Sequence, residues 1–137
     1  MNMRINSVSE PSFLRLALIA DAAVSGFTGL AMVLGAGIVD GLLGLPATLL
    51  HYAGLSLIPF AALVGFIATR ERLSRPAVWA IIAYNALWAV DSIVLIAGGW
   101  LTPTLLGYAF TVAQAIVVAA FAELQYVGMR KWRAAHA

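Results

Sequence analysis

The sequence predicts an all-α protein, a transmembrane four-helix bundle with antiparallel neighbours and both termini in the cytoplasm. Three observations carry that expectation. Of the 137 residues, 63% are hydrophobic and 10% charged, against roughly 25% charged in an average soluble domain. Four long apolar runs are each headed by a proline. Every lysine and arginine falls on one side of the arrangement those runs imply.

The first element spans 12–39 and follows Pro11, with Ser9 placed to cap it. A cleaved export signal has an apolar core of about 7 to 15 residues, whereas this run continues from Leu16 to Val39 with Asp21 inside it, so it reads as a retained helix. The second spans 46–69 behind Pro46. The third spans 76–97 behind Ser74 and Pro76, and the fourth 103–129 behind Thr102 and Pro103. Proline suits a first helical turn because the N–H it lacks has no intrahelical partner there. Serine and threonine suit the preceding position because their hydroxyls accept from first-turn amides. Each run meets the roughly 20 residues needed to cross about 30 Å of hydrocarbon. Strands with open edges would leave backbone amides unpaired in lipid, so helices are the expected solution. Connections near 40–45, 70–75 and 98–102 are short, which makes consecutive helices antiparallel neighbours. Residues 1–11 read as an amino-terminal tail, 12–129 as the membrane domain and 130–137 as a basic tail.

The charges orient the bundle. Arg4 and Arg15, then Arg70, Arg72 and Arg75, then Arg130, Lys131 and Arg133 are all of the basic residues. They occupy the amino-terminal region, the middle connection and the carboxyl-terminal tail. The positive-inside rule places these three regions in the cytoplasm. Trp79 and Trp132 fall near that boundary and Trp100 near the opposite one, as interfacial aromatics do.

Candidate functional positions are the polar residues inside the apolar runs, because an ionisable group at mid-bilayer costs at least about 2.5–3.5 kcal/mol on insertion scales. Asp21 falls about 12 Å from the inner end of its helix and Glu123 about 10 Å from the inner end of the fourth, so the two carboxyls are expected to share one cavity. Asp91 falls about 10 Å from the outer end of the third helix. Asp21, Ser25 and Thr28 form a polar stripe flanked by Gly26 and Gly29. It reads either as a packing seam or as a proton- or cation-binding carboxyl site. Asn85 and Gln114 both fall near mid-bilayer; they read either as an interhelical hydrogen bond that sets helix register or as substrate contacts. Gln114 and Gln125 share one face of the fourth helix, with Thr111, Val118 and Phe121 between or beside them. Pro59 interrupts the second helix and is expected to kink it. The kink reads as a tolerated bend or as one wall of a pocket shared with Trp88.

The absences narrow the chemistry. There is no cysteine, hence no disulfide, thiolate ligand or cysteine nucleophile. The two histidines, His51 and His136, are expected on opposite sides of the membrane and cannot ligate one metal or haem iron. No phosphate-binding glycine loop, nucleophile elbow or triad is present. No metal, cofactor or nucleic-acid partner is expected, and an enzymatic role is the weakest reading.

The segments Asn85-Ala86-Leu87-Trp88 and Phe121-Ala122-Glu123-Leu124-Gln125-Tyr126-Val127-Gly128-Met129-Arg130, with Gly44-Leu45-Pro46 ahead of the second helix, resemble a group of small uncharacterised bacterial integral membrane proteins. The layout is similar to that of the DoxX-like four-helix proteins. This resemblance implies a bacterial inner membrane and carries over no functional residue. Small four-helix multidrug transporters also have an acid in their first helix, as Asp21 is here, but their dual-topology members have a weak charge bias while this one is one-sided. The leading expectation is a non-enzymatic bundle that associates with itself or with a larger membrane complex, on faces rich in Ala109, Ala113, Ala115, Ala119 and Ala122. The alternative is a proton- or cation-coupled small transporter or channel using the intramembrane carboxyls.

Overall fold

Four helices account for nearly all of the chain in the computed structural model, which describes residues 12–135: α1 (Ser12–Leu43), α2 (Ala47–Ala68), α3 (Arg75–Ala97) and α4 (Leu105–Ala135). All four are long and apolar enough to cross a membrane. Arg4, Ser9, Pro11 and His136 lie outside the described residues.

The helix ends follow local chemistry. α1 runs past Val39 and Asp40 to Leu43, one turn beyond the expected end, and stops where Gly44 takes φ +65°. A side chain at position 44 would be strained by that left-handed backbone and would also crowd the Thr104 amide 2.7 Å away. Ser74 caps α3 as expected, its hydroxyl accepting from the Ala77 amide at 3.3 Å, with Pro76 in the first turn. The cap of α4 is Thr104 rather than Thr102. Its hydroxyl accepts from the Gly107 amide at 3.1 Å and donates to the Leu42 carbonyl at 2.7 Å, tying the start of α4 to the end of α1. α4 also continues to Ala135, six residues beyond the expected Met129. The basic segment is good helix former, and tertiary contacts hold it. Lys131 sits over the Phe13 ring at 4.8 Å and Arg75 over the Trp132 ring at 4.9 Å.

α1 and α2 pack most closely. Gly54 lies against the backbone of Gly29, where an added Cβ would come within 2.7 Å of the Gly29 carbonyl oxygen. Along the same seam Gly26 faces Ala61 and Gly65 faces Ala22. α4 meets α1 through Gly128, which rests on Leu14. α2 and α3 meet through side chains: the Phe60 and Tyr84 rings stack with centroids 4.1 Å apart, and the Ser56 and Tyr84 hydroxyls are hydrogen-bonded at 3.0 Å. One apolar core joins Leu14, Leu18, Val64, Val78, Ile81 and Met129 near the basic end, and a smaller one around Ala36, Leu43, Leu45 and Leu50 lies near the other. The outer surface is largely apolar, with Phe27, Leu34, Ile38 and Leu105 more than three-quarters exposed.

The basic side chains gather at one end. Arg15 donates to the carbonyls of Ala68, Arg70 and Glu71, the latter two at 2.6 and 3.4 Å. This spans the end of α2, whose last carbonyls have no helical donor.

Candidate functional site

Asp21, Asn85 and Gln125 come from three different helices at nearly one height, nine residues from the start of α1, ten from the start of α3 and ten from the end of α4. They meet in the interior, each no more than 2% exposed. Asp21 Oδ2 accepts from Asn85 Nδ2 at 2.8 Å and from Gln125 Nε2 at 2.7 Å. Its other oxygen, Oδ1, accepts from the Ser25 hydroxyl one turn along α1 at 2.9 Å. The second Asn85 hydrogen goes to Gln125 Oε1 at 3.1 Å, closing the three helices into a ring. All three groups facing the Asp21 carboxyl are donors. A carboxyl surrounded in this way is held by hydrogen bonds instead of by a counter-ion. The Ser25 hydroxyl reverses and accepts without moving its oxygen, so a proton on Oδ1 fits the same geometry.

A second polar pair lies farther from the basic end. Trp88 Nε1 donates to Gln114 Oε1 at 2.8 Å, and Gln114 Nε2 donates to the Thr111 carbonyl on its own helix at 2.9 Å. The Ser92 hydroxyl donates to the Trp88 carbonyl at 2.8 Å, so it is spent within α3.

Between α1 and α4, these two groups border a cavity of about 250 Å³. Ser25, Thr28, Trp88 and Gln114 supply its polar wall, and Leu57, Phe110 and Phe121 part of its apolar wall. It is partly open, with exposed Val24, Ala113 and Val117 at its rim. Two further hollows, of about 80 and 340 Å³, share Thr28 and Phe110 with it and continue toward the end of α1.

The polar positions singled out in the sequence therefore separate into three groups. Asp21 and Asn85 share the buried ring, but the partner that completes it is Gln125. Gln114 bonds to Trp88, and the expected Asn85–Gln114 bond is replaced by the bonds just described. Glu123 does not share a cavity with Asp21. It is two residues from Gln125, which on a helix turns it by about 200° to the opposite face, and it is exposed, as is Asp91. Neither acid has a hydrogen bond or ion pair among the described residues. Pro59 faces outward while Trp88 lines the cavity, so these two do not form one pocket wall. His51 is exposed at the end away from the basic residues. Among the described residues, no three histidines and acids come together as a metal-binding group.

Comparison with known proteins adds no relative to this geometry. No protein-family model matches the chain, and no curated protein or solved structure matches it.

Proposed function

We propose that this chain is a multi-pass integral membrane protein whose work is done by association within the bilayer, as a self-associating bundle or an accessory subunit of a membrane complex. The observation that carries this reading is the pair of unpartnered acids on the outer surface. Glu123 lies on an outward face of α4 that also presents Ala109, Ile116, Ala119 and Ala120, and Asp91 lies on the outside of α3. An acid turned toward hydrocarbon is costly, and the usual remedy is a polar partner on a neighbouring helix. Asp21 shows the alternative within the same chain, where the acid is internal and three donors meet it.

The proposed topology has four antiparallel helices with both ends cytoplasmic, in a bacterial inner membrane with a DoxX-like layout. The seam pairing Ala22 with Gly65 and Gly29 with Gly54 supports the helix directions, and the gathering of Arg15, Arg70 and Arg75 at one end supports the orientation. The test uses single cysteines introduced into a chain that has none. Association predicts crosslinks from Ala120→Cys and weak ones from Leu34→Cys in native membranes, with mild detergent extracting more than one protomer's mass. A lone protomer without crosslinks from any outward position of α3 or α4 would refute it. Exterior labelling of Arg72→Cys would refute the orientation.

A second reading is favoured by one contact: Ser25 both lines the cavity and donates to Asp21. In this reading a proton or cation reaches the Asp21 carboxyl from the cavity, with Asp91 and Glu123 as further carboxyl sites. Liposome flux that is lost in Asp21→Asn and reduced in Asp91→Asn or Glu123→Gln would support it; flux indifferent to all three acids would end it.

A further inference from the structure

We propose that the cleft between the middle of α1 and the first half of α4 binds a neutral lipophilic molecule bearing a hydrogen-bond-accepting group, such as a ketone or ester carbonyl, admitted sideways from the bilayer. The proposal rests on the membrane placement above, and on no particular partner.

Two side chains in the wall have unused polar capacity. Gln114 Nε2 carries two hydrogens, of which the Thr111 carbonyl takes one. The Thr28 hydroxyl makes no hydrogen bond among the described residues, although Thr69 and Ser92 each use theirs on a carbonyl in the preceding turn. Both groups line the 250 Å³ cavity. In a surrounding without water an unmet donor costs free energy that a carbonyl oxygen would recover. Trp88, whose N–H is committed to Gln114 Oε1, holds that amide in place.

The rest of the wall sets the remainder of the ligand. None of its residues is ionisable, so nothing there compensates a charged ligand. Val24, Val117 and Phe121 present hydrocarbon, and the rim opens at positions that on this reading face acyl chains. At about 250 Å³ the cavity lies just below the roughly 300–1,000 Å³ of pockets for drug-sized ligands, enough for the polar end of such a molecule and the carbons next to it. The hollow of about 340 Å³ beyond Phe110 gives a longer tail somewhere to continue. A compact apolar pocket with a few convergent polar groups is the usual form of a small-molecule site.

The test is photolabelling of the full chain in phospholipid nanodiscs with a long-chain ketone carrying an aliphatic diazirine, followed by peptide mapping. Labelling is expected to concentrate on 24–28 and 110–121. 2-Dodecanone should compete at least tenfold better than dodecane at equal membrane concentration. Ala113→Phe, at the rim, should reduce labelling of these peptides at least fivefold, and Val117→Trp provides a second block should the first variant express poorly. Thr28→Val with Gln114→Leu should leave labelling but abolish the preference for ketone over alkane. Labelling spread evenly over outward positions, or undiminished by either rim variant, overturns the site. Equal competition by dodecane overturns the polar recognition. Failure of the membrane placement would be seen separately, as recovery of the chain without detergent.

Discussion

Replacing Asp21 by leucine removes the acceptor on which α1, α3 and α4 converge, and the size of the effect follows from the hydrogen-bond count. Asn85 Nδ2 keeps its bond to Gln125 but loses the one to Oδ2, and Gln125 Nε2 loses its only described acceptor. Two N–H groups are left unmet at positions no more than 2% exposed, while the third donor, the Ser25 hydroxyl, is free to rotate to a carbonyl of its own helix and is not counted. At about 1–3 kcal/mol for each unsatisfied group the loss is about 2–6 kcal/mol. Chains unfolded within lipid find other partners, which pulls the expectation toward the lower end, about 2–3 kcal/mol. Asp21→Asn behaves differently. Its carbonyl oxygen takes the place of Oδ2 and accepts both amides, while its NH2 group faces the Ser25 hydroxyl, which then accepts instead of donating. Every contact survives, so Asp21→Asn should remain within about 1 kcal/mol of the parent, any difference being at most the exchange of charge-assisted for neutral hydrogen bonds. Reversible unfolding in mixed micelles, followed by far-ultraviolet circular dichroism, measures both variants. Equal stability of Asp21→Leu and the parent would refute the ring as a structural device. Equal loss in both variants would show that the charge, not the acceptor count, holds the helices together.

Other substitutions probe the packing with the same assay. Gly54→Ala should destabilise by about 1–3 kcal/mol through overpacking, because its Cβ would meet the Gly29 carbonyl oxygen at 2.7 Å; Gly35→Ala, with nothing within 4 Å, should gain up to about 1 kcal/mol of helix propensity. Arg15→Met removes the donor shared by the Ala68, Arg70 and Glu71 carbonyls and should cost about 1 kcal/mol, the exposed part of the contact being discounted for solvent. Ser74→Ala should cost about 1 kcal/mol as the cap of α3 is lost, while Thr102→Ala should cost little because Thr104 caps α4. A larger loss at Thr102 than at Thr104 would contradict the cap assignment.

The helices were legible in the sequence because length, apolar content and proline position act locally, so the starts of α2 and α3 fall within one residue of expectation. The end of α4 is not, since Arg130, Lys131 and Arg133 read as a tail until Lys131 is placed over the Phe13 ring of α1 and Trp132 beneath Arg75 of α3. That one misplaced end had a consequence at the site. With the helix ended at Met129, Gln125 falls only four residues from the basic end, closer to it than Asp21 at nine; with the end at Ala135 the separation is ten and the two heights match. Gln125 consequently stood out only as a member of the Gln114 seam and not as a partner of Asp21. Periodicity, moreover, assigns residues to a face but not the face to a neighbour. Asp21 and Glu123 are equally apolar in context, and only packing separates the acid that turned inward from the one that turned out.

That separation bears on mechanism. A carboxyl fixed by two amides and a hydroxyl has little freedom to change partners, and each of its contacts ties a different helix or turn to α1. Any cycle that moved a proton through Asp21 would have to break at least one interhelical bond at each turnover, so coupling to helix motion would be built into the site. On the association proposed above, an acid on the outer surface faces no such constraint, because its partner would come from whatever covers α4. The buried ring is therefore suited to holding the bundle in one arrangement, and on the proposed association the exposed acids would choose its neighbours. If Asp21→Asn altered association while Glu123→Gln left it unchanged, this division of roles would be reversed.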